Sequence, residues 1–260
     1  MNLPQLKWRF DFLKNNPVLQ SKHYGIPPEV KVINYPIRLI RYWFMYHFLL
    51  NHSKKLTDKK LEVCEIGVDI GQMLGFVKAA RENGADAIPL VNWDAVDAFI
   101  HKDILLDVGY NGLYEVDLES VEFSLGEKKY DAIILLHVLE HLFKPEDVIR
   151  KIAPNLKPGG IMIGGFPSLP KFMQEKRQEK IRGTAKKFGH VSVFSPDRVR
   201  KMAVDNGLKV DFLSGAFFMR KKGFFLENYG WWFRFNLWFG ALFPSWIGET
   251  YWVLRKPPEF

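Results

Sequence analysis

The sequence predicts an α/β fold, a mostly parallel sheet with helices on both faces. Two observations carry that expectation. From Leu61 onward short apolar runs alternate with amphipathic segments, first LEVCEI, QMLGFVKAARENG and AIPLVNWD, later YDAIILLHVL, PEDVIRKIAPNL and GIMIGGFP. Such alternation is what βαβ units produce. The first apolar run also breaks into a glycine-bearing turn, EIGVDIG, of the kind that presents backbone N–H groups at the carboxyl edge of a parallel sheet. With 260 residues the chain has room for one generous domain with appendages.

Taken in order, residues 1–56 read as a helical extension or lid. Pro27, Pro28 and Pro36 interrupt it, and IRLIRYWFMYHFLLNH then gives an apolar, aromatic helix flanked by Arg38 and Arg41 that must bury itself against something. Residues 57–260 form the main domain. Its first helix places Met73, Leu74, Val77 and Ala80 on one face, and Gly84 ends it. The second apolar run closes at Asp94, and a third strand near YEVDLES has no sharp boundary between Leu105 and Val116. Pro145 opens a later helix with Glu146 and Asp147 in its first turn, and Lys157-Pro158-Gly159-Gly160 turns into the next strand. SPDRVRKMAVDNG is a helix with Ser195 as N-cap and Pro196 at its first position. LKVDFLSGAFFMR and ETYWVLRKP supply the last strands, with an aromatic insertion, residues 223–247, between them. The order of the strands in space is not legible from this pattern.

A formal charge of +8 favours an anionic neighbour: a membrane face, a phosphorylated substrate or a nucleic acid. The one cysteine, Cys64, excludes an internal disulfide and reads as a buried strand residue, which fits a reducing compartment. Charges interrupt every apolar stretch near the N-terminus, so a cytoplasmic protein is expected. The stretch from Phe235 to Gly248 is shorter than the ~20 residues needed to span a bilayer.

Chemistry narrows the ligand of the EIGVDIG turn. A phosphate-cradling loop needs Gly-Lys-Ser/Thr at its end, and Gly71 is followed by Gln72 and Met73. The dinucleotide fingerprint breaks at Asp69, and Glu65 with Asp69 would repel a pyrophosphate. A ligand with a cationic amino-acid end and no phosphate, such as S-adenosylmethionine, meets neither objection. The turn resembles the first motif of the class I S-adenosylmethionine-dependent methyltransferases, an acid followed by x-Gly-x-Gly-x-Gly. Glu65, Gly67 and Gly71 match it, and Asp69 replaces the middle glycine. LHVLEHLF, LKPGG and GHVSVFSPDRVRKMAVDNGLKV extend the likeness over roughly residues 60–215, toward the branch that acts on small molecules, lipids and glycans.

The resemblance implies a Rossmann-like sheet of seven strands with S-adenosylmethionine as cofactor. It further implies that Asp94 accepts hydrogen bonds from the ribose hydroxyls, that Asp117 reaches the adenine amine, and that Leu118 flanks the ring. Asp94 also suits an N-cap, and Asp117 a surface turn.

His137-Val-Leu-Glu140-His141 also matches the inverted zinc-protease signature, which requires a mid-helix position. An apolar strand, Ala132 to Leu136, runs straight into His137, and Pro145 stops any helix soon after, so no metal is expected. The cluster instead falls at a strand end beside the expected methyl donor. His141, His137 and His190 are candidates to take a proton from an acceptor hydroxyl, or else only to shape the pocket. Methyl transfer is an in-line displacement at an activated carbon, so positioning is the protein's chief task. The expected activity is O-methylation of a small molecule, lipid or glycan precursor; the alternative is a scaffold that binds the cofactor without turnover.

GFFLENYGWWFRFNLWFGALFPSWI follows Arg220, Lys221 and Lys222, and suits either a membrane–water interface or a lid over the pocket. KFMQEKRQEKIRGTAKK reads as a solvated helix or as a contact for anionic lipid. Phe172 within it and Phe188 just after it are the only aromatics there, too few for base stacking, which disfavours RNA as substrate.

Overall fold

The computed structural model describes residues 3–21, 33–56, 61–182, 189–221 and 223–258. Pro27, Pro28, Phe188 and Lys222 lie outside these residues.

The chain enters its sheet at β1 (Leu61–Ile66), an almost wholly buried strand. It leaves through a turn in which Gly71 is left-handed, with φ +76°, and caps α2 (Gln72–Glu82). Met73, Leu74, Val77 and Ala80 are all buried on that helix, as their spacing predicts. β2 (Leu90–Asp97) runs parallel to β1, Glu65 pairing with Ala95. The strand continues three residues past Asp94 because the Ala95 N–H bonds to the Gly112 carbonyl and the Gly67 N–H to that of Val96. Between β2 and the short edge strand β3 (Leu113–Glu115) lies α3 (Lys102–Val108), an element the sequence pattern did not announce.

β4 (Tyr130–Leu136) takes the central place and is buried along almost its whole length. Parallel to it comes β5 (Leu156–Ser168), reached through α4 (Pro145–Ile152). α5 (Lys171–Arg182) and α6 (Pro196–Asp205) precede β6 (Lys209–Gly215), and α7 (Gly230–Leu242) precedes β7 (Gly248–Arg255). The seven strands make one sheet in the order β3-β2-β1-β4-β5-β7-β6, with β7 antiparallel to both neighbours. Seven strands, mostly parallel, with helices on both faces is the Rossmann-like architecture expected.

On one face α1 (Ile40–Ser53) lies across the sheet and belongs to the same apolar core as α2 and α7. It is apolar nearly all round, the signature of a buried helix, and its Phe44 stacks on Tyr251 of β7 at 4.4 Å between ring centroids. α4 and α6 cover the other face in a second core built on Val148, Ile149, Val199 and Met202. α7 occupies the aromatic insertion. Its inner side buries Trp232, Phe233 and Leu237, and Phe233 meets Phe10 and Trp43 of the N-terminal segment. Gly240 lies so close to the Gly215 backbone of β6 that no Cβ fits between them.

Candidate functional site

The strand order reverses between β1 and β4, and open α/β sheets bind ligands at such a point. Here the carboxyl ends of β1, β2 and β4 surround a cleft of about 820 Å³. Its floor is the turn after β1. Gly67 has φ +75°, and a Cβ there would overlap the Val138 side chain. Asp69 has φ +49° and is exposed to the cleft. Aspartate is among the few non-glycine residues that enter this left-handed region at modest cost, which is why the turn keeps its shape without the middle glycine.

Glu65 does not line the cleft. It is buried at the base of the turn, where its Oε2 accepts hydrogen bonds from Trp93 Nε1 at 2.9 Å and the Tyr110 hydroxyl at 2.7 Å. Burial pushes its carboxyl up to about 7, although both hydrogen bonds pull the other way.

Asp94 requires a correction. It is mid-strand rather than at the strand end, 1% exposed, and its carboxylate is filled by Lys128 Nζ at 2.6 Å, the Tyr130 hydroxyl at 2.9 Å and the Gly112 N–H at 3.0 Å. The residue that closes β2 and faces the cleft is Asp97, whose Oδ2 accepts the Asp69 N–H at 3.0 Å. Sequence reasoning missed it, although VNWDAVD carries both aspartates. Asp117 and Leu118 do reach the cleft, Asp117 while also accepting the Glu119 N–H at 2.9 Å. Phe99, exposed on the same wall, is a second residue not anticipated.

Two of the cleft's histidines, His137 and His141, follow β4. His137 follows β4 directly, with φ +58°, its N–H bonded to the Gly165 carbonyl at 2.8 Å. Its Nδ1 is 2.9 Å from Glu140 Oε1, and its Nε2 is 3.5 Å from Glu249 Oε2. Burial pulls the imidazole down, but the Glu249 charge and the Glu140 hydrogen bond outweigh it, so His137 holds its proton more tightly than a free histidine. Glu249, only 2% exposed, also pairs with Arg41 at 3.1 Å, with Arg220 and with the Tyr251 hydroxyl. Burial would raise its carboxyl; Arg41 and His137 hold it well below the usual carboxylate range.

Leu139–His141 forms a 3-10 turn, not a helix interior, so His137 and His141 do not share a face as a zinc-protease motif requires. His141 lines the cleft, and its Nδ1 lies 3.1 Å from the Gly189 carbonyl. A carbonyl only accepts, so Nδ1 donates this hydrogen bond and Nε2 is the ring nitrogen left for another partner. His190 meets His141 edge to face at 4.9 Å, and burial lowers its pKa.

A mostly parallel seven-stranded sheet that opens at its reversal point places the chain in the Rossmann-like class of α/β folds. The chain belongs to the class I S-adenosylmethionine-dependent methyltransferases: the profile of the family described as "Methyltransferase domain" matches residues 38–212. Solved structures share the fold at low identity. An O-methyltransferase family protein from Burkholderia thailandensis is 13% identical with a TM-score of 0.53, the match covering 86% of this chain and 58% of that one. The CurJ carbon methyltransferase is 13% identical, TM-score 0.55, over 85% and 55% of the two chains. The cyclase SpnF is 13% identical, TM-score 0.52, over 96% and 94%. The match thus spans little more than half of the first two. No curated protein matches the chain in sequence.

Proposed function

We propose that the cleft binds S-adenosylmethionine and that the chain transfers its methyl group to an oxygen of a small molecule, lipid or glycan precursor. One observation carries this reading. The Gly67–Asp69 turn, Asp97, Asp117-Leu118 and His141 all line a single cleft, with the Asp69 N–H bonded directly to Asp97. In that arrangement the turn receives the amino-acid end, Asp97 in place of Asp94 accepts the ribose hydroxyls, and Asp117 with Leu118 receives the adenine. Phe99 adds a ring face to the adenine pocket. Four acidic side chains, Asp69, Asp97, Asp117 and Glu119, line the cleft and suit a ligand whose sulfonium and ammonium are cationic.

The acceptor oxygen rests on His141, because folds of this kind also serve a carbon methyltransferase and a cyclase. His141 lines the cleft with its Nε2 left for another partner, whereas His137 is held as a proton-bearing group between two carboxylates. His137 therefore orients and His141 accepts the proton. Calorimetry with S-adenosylhomocysteine tests the reading: saturable binding in the micromolar range supports it, and no heat at high micromolar ligand sinks it, the scaffold alternative without turnover surviving only if binding is seen.

A contact with an anionic membrane is favoured by the outer side of α7 and its flanks. Phe225, Trp231, Trp238, Phe243, Trp246 and Ile247 are all exposed there, beside exposed Lys221. Arg220 contributes less, being engaged with Glu249. Among the described residues no helix is long and apolar enough to cross a membrane, so such a contact lies flat on the interface. Flotation with anionic vesicles tests it, and protein left at the bottom of the gradient rejects it.

A further inference from the structure

Three side chains at the His141 end of the cleft, of which only His141 lines it, remain only partly used. Glu140, His141 and His190 each place one ligand atom within 4.8 Å of the other two. Glu140 is 2% exposed; its Oε1 takes the His137 hydrogen bond, and its Oε2 is buried with no hydrogen-bond partner. A buried carboxylate oxygen left unsatisfied is uncommon and calls for a ligand. His141 has Nδ1 fixed on the Gly189 carbonyl, leaving Nε2 to donate electrons. A backbone carbonyl on the far nitrogen is the outer partner that orients metal-binding imidazoles.

We infer that Glu140, His141 and His190 form a binding site for a first-row divalent cation of the zinc, cobalt or manganese type. Two imidazoles and one carboxylate are the ligand set such ions take while keeping positions open. Ligands around such an ion stand roughly 3 to 3.5 Å apart, given bonds of about 2.1 Å. The three atoms must therefore close in, which exposed His190 can do by a change of rotamer. Glu140 and His141 share a 3-10 turn, and the backbone carbonyl of Glu140 accepts the Val191 and Ser192 N–H groups at 2.8 and 3.0 Å, which ties that turn to the segment after His190.

His141, which lines the cleft, brings the ion to the side where the acceptor enters, a role that rests on the methyl-transfer reading. The ion selects acceptors with a hydroxyl beside a second oxygen, such as a vicinal diol, a catechol or a hydroxy acid, which chelate through both. Binding lowers the hydroxyl pKa. The hydroxyl proton passes to solvent, and the oxygen pair forms the new O–CH₃ bond. The S–CH₃ bond breaks with its pair going to sulfur, and neutral S-adenosylhomocysteine leaves. In this form His141 holds the ion instead of taking the proton itself.

The test is titration of the chelator-treated full chain with CoCl₂, read by visible d–d absorption and equilibrium dialysis, with no methyl donor present. One cobalt per chain is expected. His190→Ala and His141→Ala should each weaken it by about 100-fold or more, since even an outer partner of a ligand contributes up to that much. His101→Ala, a cleft histidine outside the cluster, should leave it unchanged. Thermal unfolding of each metal-free variant checks the fold, and exposed His190 is the safe position. No d–d band, or a band that both substitutions leave intact, overturns the site. Calorimetry with S-adenosylhomocysteine on the metal-free chain separates this from the methyltransferase reading, because either can fail while the other stands.

Discussion

Arg41 of α1 and Glu249 of β7 form an ion pair at 3.1 Å across 208 residues of sequence, with the carboxylate almost wholly buried behind His137. The pair fastens the N-terminal helix to the strand end that carries the site. Glu249→Gln leaves Arg41 and Arg220 without their anion and should cost about 3 kcal/mol in urea unfolding. Arg41→Ala should cost less, because Arg220 still answers the carboxylate. The reverse order would show that Arg220 carries none of the compensation. Because Glu249 is held below the ordinary carboxylate range, its contribution is present above pH ~4.5 and is lost on further acidification.

Asp97 and Asp94 should separate cleanly on substitution. Asp97→Ala is expected to weaken S-adenosylhomocysteine about tenfold, or 1.4 kcal/mol, with little change in unfolding. Asp94→Asn strips the charge from the Lys128 pair and should lower stability. Measured by calorimetry and urea titration together, a loss of binding without loss of stability for Asp94→Asn would restore Asp94 to the ribose.

Gly67→Ala forces a left-handed alanine, costing about 1–2 kcal/mol, and drives its Cβ into Val138. Wild-type affinity for S-adenosylhomocysteine in this variant would mean the turn has no part in binding.

Glu227 supplies a pH test. Burial pushes its carboxyl up to about 7, against the Ile37 N–H that it accepts at 3.3 Å and the charges of Arg38 and Arg220. A raised folded value means that the proton favours the native state, so this contribution is full below pH ~4.5 and fades as pH rises through about 7. Glu227→Gln should therefore gain about 1–2 kcal/mol over the wild type at pH 8 and nothing at pH 4, by urea unfolding at the two values.

The first strand, its turn and the helix behind it were legible because the apolar period switches from strand to helix at the glycines. The site's charged groups were less so. VNWDAVD offers two aspartates three apart, and only the bonds from Ala95 to Gly112 and from Gly67 to Val96 decide which of them closes the strand. α3 is seven residues long, too short for a periodic signal, and is recognisable afterwards by left-handed Gly109 at its end. His137, Glu140 and His141 stood out as a cluster, yet what each can do depends on Glu249 and Gly189, distant in sequence and invisible to any local pattern.

The approach of Gly240 to the Gly215 backbone bears on how the aromatic insertion moves. A helix seated directly on a strand's peptide groups has no cushion of side chains to roll on, so α7 moves only if β6 moves with it. None of the residues lining the cleft belongs to α7, so the aromatic insertion is anchored to the β6 edge of the sheet and travels with that edge.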